Sequence, residues 1–165
     1  MGEKGRMILG MAPEQTIIAI AAAIAILSAT VMAIFWAARF YKRKKMGFLD
    51  GLEGHEFEYF CAKLLKENGF IEVEVTKGSG DYGVDILAEK DGVTYAVQCK
   101  CYTDPVGVKA VQEAYAGRDY YDRMVGAVMT NQYFTAPAVN AARKLKILLW
   151  DRGYLEDMMG ENGEW

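Results

Sequence analysis

Histidine occurs once in this chain, at His55, and cysteine three times, at Cys61, Cys99 and Cys101. These scarcities exclude several chemistries. One isolated histidine beside a predicted helix start offers no Ser-His-Asp relay and reads as a surface or capping residue. An odd cysteine count without paired spacing gives no disulfide framework. Cys99-Lys100-Cys101 lacks the two-residue spacer and the second ligand pair of a structural zinc site. The thiols read as small buried or half-buried side chains in a reducing compartment, with no catalytic role. A nucleotide-cradling loop is missing as well, because Gly78-Ser79-Gly80 lacks the lysine and following helix of a P-loop. No small-molecule cofactor is therefore expected. Internal repeats are absent, and only three prolines interrupt the chain.

What is present is a folded composition, 52% hydrophobic and 25% charged over 165 residues, with a lopsided charge distribution. Residues 1–45 carry seven Lys/Arg against two Asp/Glu; the remainder carries twelve against twenty. The first part is therefore basic and the rest acidic. An acidic domain argues against loose, charge-driven binding to phosphate chains, so any nucleic-acid site needs a local basic patch or a bound metal.

Residues 1–15 form a short polar leader, expected outside the cytoplasm. Thr16 to Ala38 carries no charge and is apolar on all sides. At roughly 1.5 Å per residue such a helix crosses a hydrocarbon core of about 30 Å. Phe35 and Trp36 stand at its end, and RFYKRKK follows as a stop-transfer signal, unlike the flank of a cleaved signal peptide. Arg39, Lys42, Arg43, Lys44 and Lys45 outweigh Lys4 and Arg6, which predicts a single-pass cell-membrane protein with its C-terminal domain in the cytoplasm. Residues 39–51 then form a basic juxtamembrane linker, residues 52–155 a folded domain and residues 156–165 an acidic tail.

Within the domain, Phe57, Phe60, Cys61, Leu64 and Leu65 form one helical stripe, with Glu58 at its border and Gly69 ending the helix. Phe70 to Thr76 alternates as a strand with one wet face. Val108 to Tyr121 reads as a helix, with Val108, Val111, Ala114 and Tyr115 towards one side. Met124 to Thr130 reads as a strand buried on both faces. Thr135 caps a helix over 136–144, with Pro137 in its first turn, and Ile147 to Trp150 is a last strand. One or two helical turns are predicted over Leu155 to Met159. The order is α-β-β-β-α-β-α-β, an α/β domain with helices packed on a mixed sheet.

Gly80 to Tyr102 is the most informative stretch. It reads as two strands joined by an Asp91-Gly92 turn. Side chains alternate along a strand, so Gln98 and Lys100 share one face while Val93, Tyr95, Val97 and Cys99 share the other. The hairpin partner presents Asp85 near the first pair. Phosphodiester hydrolysis needs an activated water, neutralised phosphate charge and help for the leaving oxygen. Oxygen ligands holding Mg²⁺, with a lysine beside them, meet those needs. Asp85, Gln98 and Glu58 are the candidate ligands, and Lys100 the positive charge.

Asp85 followed by Gln98-Cys99-Lys100 resembles the D…(E/Q)xK signature of the Mrr-type catalytic domain in the restriction-endonuclease-like superfamily. The likeness extends to Glu58 within EFEYF, to GSGDYGVDI, to the FT…A helix and to ILLW, over roughly residues 52–151. It implies a restriction-endonuclease-like core preceded by one transmembrane helix. The implied activity is a Mg²⁺-dependent DNA endonuclease, with Mn²⁺ an alternative metal. Asp85, Gln98, Lys100 and Glu58 would form its site, and Gln112 and Asp81 a second tier. The DNA-reading domain that precedes the catalytic domain in the enzyme naming this family is replaced here by a membrane span, so methylation-dependent restriction is not carried over. Lys77, Lys109, Arg143, Lys144 and Lys146 are the phosphate-contact candidates, and a homodimer is compatible with double-strand cutting. The competing expectation is an inactive nuclease fold serving as a membrane-tethered DNA-binding or scaffold module.

Overall fold

The computed structural model describes residues 13–76 and 82–162, which divide into two units between Arg43 and Lys44. Lys77 and Asp81 lie outside the described residues. The first helix, α1, runs Pro13–Gly47, and its Ile17–Ala38 portion is 22 residues long with no side chain buried. That portion is long and apolar enough to cross a membrane.

The second unit is built on a five-stranded sheet ordered β1-β2-β3-β4-β5: Ile71–Val75, Ile86–Lys90, Val93–Lys100, Val125–Thr130 and Ile147–Trp150. The first three strands are antiparallel and the last three parallel. Asp91 and Gly92 explain the first half, since both take left-handed backbone angles (φ 53° and 76°), as a two-residue hairpin turn requires. Parallel neighbours need crossovers, supplied by α3 (Val108–Tyr120) and α4 (Ala136–Leu145). Thr135 caps α4 by accepting from the Ala138 N–H at 3.3 Å, with proline in the first turn.

Helix α2 (Gly54–Glu67) and helix α5 (Arg152–Asn162) cover one face of the sheet. Phe57, Leu64, Leu65 and Leu155 are fully buried there against Ile86, Val97, Ala127 and Met129. Helices α3 and α4 cover the other face through small residues, Ala110, Val111, Ala114, Ala138 and Ala142, packed against Val128. Strand β4 is buried on both faces, as its unbroken apolar run requires. Leu49, Met158 and Met159 belong to this core, which therefore reaches past residues 52–155 at both ends.

Three local features differ from the expected pattern. Strand β1 does not alternate cleanly. Between Ile71 and Glu74 its register with β2 shifts by one, Glu72 sits at φ 50°, and Ile71 is left exposed. A bulge of this kind rotates the side chains on one side of it out of phase with those on the other. Helix α5 begins at Arg152, earlier than Leu155, because the Asp151 side chain accepts from the Tyr154 N–H at 3.1 Å at its start, and Leu155, Met158 and Met159 then face the α2 side. Tyr115 of α3 faces outward, beneath the Arg118 guanidinium (4.7 Å to the ring centroid), and Gly117 occupies the buried stripe in its place.

Candidate active site

The β2–β3 register pairs Ile86 with Val97. One step back along the ladder, the Asp85 N–H donates to the Val97 carbonyl at 2.9 Å, which sets Asp85 opposite Gln98. The two side chains meet: the Gln98 amide nitrogen donates to Asp85 Oδ2. The same oxygen accepts the backbone N–H of Cys99 at 2.6 Å. Asp85 is 8% exposed and Gln98 3%, so this is a buried polar pair at the site end of the hairpin. A buried carboxylate persists only where hydrogen bonds replace its lost hydration, and these two donors do so.

Lys100 lies two residues beyond Gln98 on the same face. Its ammonium stands 3.0 Å from Glu113 Oε2 on α3, and Lys109 reaches the other Glu113 oxygen at 3.7 Å. Burial, the largest single influence, works against the charge on Lys100, while the Glu113 carboxylate, with Tyr102 and Asp85 adding to it, leaves its pKa above the usual lysine value. Glycines permit the close approach of α3. A Cβ on Gly117 would overlap the Val84 side chain and stand 2.9 Å from the Tyr82 carbonyl oxygen. Gly83, at φ 79°, would place a Cβ 2.9 Å from Glu113 Cβ and 3.2 Å from Gln98 Oε1.

The result is an open cleft of about 540 Å³ lined by Tyr82, Asp85, Gln98, Lys100, Gln112 and Glu113, with Lys109 at its rim. Of the residues singled out from sequence, Asp85, Gln98, Lys100, Gln112 and Lys109 converge here. Glu58 does not line the cleft. It projects from α2, on the opposite face of the sheet, and its carboxylate bonds His55 Nδ1 at 2.7 Å. It remains near enough to act on Cys99. Burial is the main cause of the raised pKa of that thiol, the neighbouring Cys61 thiol adds to it, and the charges of Asp85 and Glu58 contribute further.

Arg143, Lys144 and Lys146 are also remote from the cleft. They are exposed at the end of α4 leading into β5, whereas Lys100 ends β3, parallel to β5 by way of β4. They occupy the opposite end of the sheet. Glu113 is the cleft residue that sequence reasoning passed over. Its only sequence signal is the i,i+4 spacing to Lys109, which is common on solvated helix faces.

The donor set can be tested for a hard divalent cation. Among the described residues no three His, Cys, Asp or Glu side chains gather in a metal-sized cluster. Asp85 nevertheless supplies a buried carboxylate, and Gln98 Oε1 is buried without a hydrogen-bond partner among the described residues. An orphaned amide oxygen beside a carboxylate suits an oxygen-seeking ion such as Mg²⁺, which keeps several waters and takes few protein ligands.

The fold has counterparts among solved structures. A protein of unknown function, AF1548, is 26% identical with a TM-score of 0.51, over 62% of this chain and 65% of that one. MspJI restriction endonuclease, solved in complex with a 27-mer oligonucleotide, is 21% identical with a TM-score of 0.55, over 72% of this chain and 30% of that one. The chain thus spans less than two-thirds of the first and under a third of the second. No curated protein matches it in sequence. The sequence pattern of the Mrr catalytic domain, described as a restriction endonuclease, matches residues 49–159. With Asp85, Gln98 and Lys100 meeting in one cleft of a matching fold, the chain belongs to the Mrr catalytic-domain family of restriction endonucleases.

Proposed function

We propose that this protein is a membrane-anchored, metal-dependent endonuclease that hydrolyses DNA phosphodiester bonds. The observation that carries the reading is the pairing of Asp85 with Gln98 across the β2–β3 ladder, beside Lys100 in one cleft. DNA is the substrate class because the family is one of restriction endonucleases, and because the similar MspJI structure contains a 27-mer oligonucleotide.

Asp85 and the Gln98 amide oxygen would hold the cation, Mg²⁺ or Mn²⁺, with water and substrate phosphate completing its shell. When bound, such an ion neutralises phosphate charge and lowers the pKa of a coordinated water. Lys100 directs its ammonium at the scissile phosphate, where negative charge accumulates as water attacks phosphorus and the P–O ester bond breaks. Lys109 and Gln112, exposed beside the cleft, would contact a flanking phosphate. Glu58, outside the cleft, is left out of the donor set.

Ile17–Ala38 would serve as the anchor, with the basic residues after it on the cytoplasmic side. Tethering confines cutting to DNA brought to the membrane. A cytoplasm-only reporter fused to the C-terminus is expected to be active; silence with normal expression would overturn the orientation.

The activity test uses the full chain in detergent with supercoiled plasmid and Mg²⁺, Mn²⁺ or EDTA. Nicking or linearisation that needs metal and is lost in Asp85→Ala and Lys100→Ala supports the reading. No cleavage under any condition, or cleavage indifferent to both substitutions, sinks it.

A further inference from the structure

The neutral Gln98 leaves Asp85 as the one carboxylate of the proposed cation site, a weak charge complement for a divalent ion. A second carboxylate is close by. Glu113 and Gln98 Oε1 abut the same side of Gly83, one through its Cβ and the other through its unpartnered oxygen. Gln98 is 3% exposed, and among the described residues that oxygen has no hydrogen-bond partner. Gln98 and Glu113 line the same cleft.

The Lys100–Glu113 contact bears on this directly. At 3.0 Å it is an ion pair by distance, yet among the described residues Glu113 Oε2 has no partner in hydrogen-bond geometry. The carboxylate is held chiefly by charge. The Lys109 contact, at 3.7 Å with the lysine side chain 88% exposed, constrains it little more.

We propose that Glu113 is a third oxygen donor to the cation site, alongside Asp85 and Gln98 Oε1. A cation competes with the ammonium for the Glu113 carboxylate, and the Lys100 side chain is released for phosphate. Metal loading and readiness of Lys100 are thereby coupled through one side chain. This inference rests on the metal-dependent reading above.

Direct metal binding provides the test. The full chain in detergent is titrated with Mn²⁺, and free ion is followed by its paramagnetic resonance signal. Glu113→Gln is expected to weaken binding about tenfold or more, a loss of the size that supporting groups at metal sites produce. The same loss is expected in a Lys100→Met background, where the Lys100 ion pair is gone and only the long Lys109 contact remains. Glu113→Ala is measured beside Glu113→Gln, with thermal melts of each, so that the conclusion does not hang on a single folded variant. Unchanged Mn²⁺ affinity in Glu113→Gln overturns the inference. So does a loss that vanishes in the Lys100→Met background, which would show Glu113 acting only through the lysine. Asp85→Asn separates the two levels. If it abolishes binding while Glu113→Gln is silent, only the role of Glu113 falls; if neither matters, the metal site itself falls.

Discussion

The backbone N–H of Cys99 donates to Asp85 Oδ2 at 2.6 Å, so the strand carrying Gln98 and Lys100 is fastened by the carboxylate beside them. Site and scaffold share one buried acceptor. Asp85→Ala therefore has two separable consequences. Removing the carboxylate leaves the Cys99 N–H and the Gln98 amide without that partner in a buried place, which costs about 1–3 kcal/mol. Thermal unfolding of the full chain should show the second unit destabilised accordingly, and plasmid cleavage should be lost even where that unit remains folded. Cleavage retained at temperatures well below the melt would separate Asp85 from the chemistry.

Gly83 and Gly117 set how closely α3 approaches the hairpin. Gly83→Ala adds a Cβ at a backbone angle that side chains rarely adopt, against both Glu113 and Gln98 Oε1. Gly117→Ala drives a methyl group into Val84 and the Tyr82 carbonyl. Overpacking of this kind costs about 1–3 kcal/mol. Both substitutions should lower the melting temperature. Gly83→Ala should lower cleavage at a temperature where its folded fraction is complete, because it displaces cleft groups, whereas a small methyl tolerated without effect would mean the loop moves freely.

Much of this arrangement was legible in the sequence, for a physical reason. Hairpin parity is local: Asp91-Gly92 fixes the turn, and the period of two then puts Asp85, Gln98 and Lys100 on one face. Burial on both sides of β4 and the cap at Thr135 are likewise short-range patterns. The features that escaped depend on how distant elements meet. Glu113 matters through its distance to Lys100, which follows from α3 packing on two glycines. Glu58 sits at the border of an apolar stripe, and only the assembled sheet shows α2 on the far face from the cleft. Arg143, Lys144 and Lys146 are phosphate-contact candidates in the sequence, but chain direction carries them to the other end of the parallel strands. The bulge in β1 has no strong signature, since Glu72 adopts φ 50° without being glycine or asparagine.

The thiols offer an independent check on the packing. Cys61 and Cys99 are buried, and Cys101 is half-buried with its Sγ 3.3 Å from the Leu52 carbonyl oxygen. Burial pushes the Cys99 and Cys101 thiols up, and the thiolate is the reactive form. In the native protein at neutral pH, a thiol-reactive dye should label Cys101 slowly and Cys61 and Cys99 hardly at all, with all three reacting in denaturant. Rapid native labelling of Cys99 would show that the β3 core opens readily. Because Cys99 lies between Gln98 and Lys100, its protection also reports whether a site variant keeps the strand in place.

Asp50 and Arg152 form the last relationship with a measurable consequence. The Arg152 guanidinium grips the Asp50 carboxylate with two bonds, at 2.7 and 3.0 Å, and also donates to the Asn131 carbonyl at 3.0 Å. Asn131, 1% exposed, exchanges two hydrogen bonds with the backbone of Tyr102, at 2.9 and 3.0 Å, and reaches Asp50 at 3.2 Å. One cluster thus joins the short 3₁₀ turn over Leu49–Gly51, the chain just beyond Lys100, the end of β4 and the start of α5. The Arg152 hydrogen bonds hold the Asp50 carboxyl below its ordinary pKa of 3.8, with burial partly opposing them. A carboxylate whose folded pKa is depressed contributes stability that is fully present above the unfolded value and is lost as pH falls through the folded one. Asp50→Asn should therefore melt at a lower temperature than the parent at neutral pH, and the gap should close as pH drops below about 4, where the unfolded carboxylate titrates. Arg152→Met should show the same pH-dependent part of the gap, with a pH-independent remainder from its lost bond to the Asn131 carbonyl. A gap that stays constant down to pH 3 would mean that packing of the turn, rather than the ion pair, supports this corner.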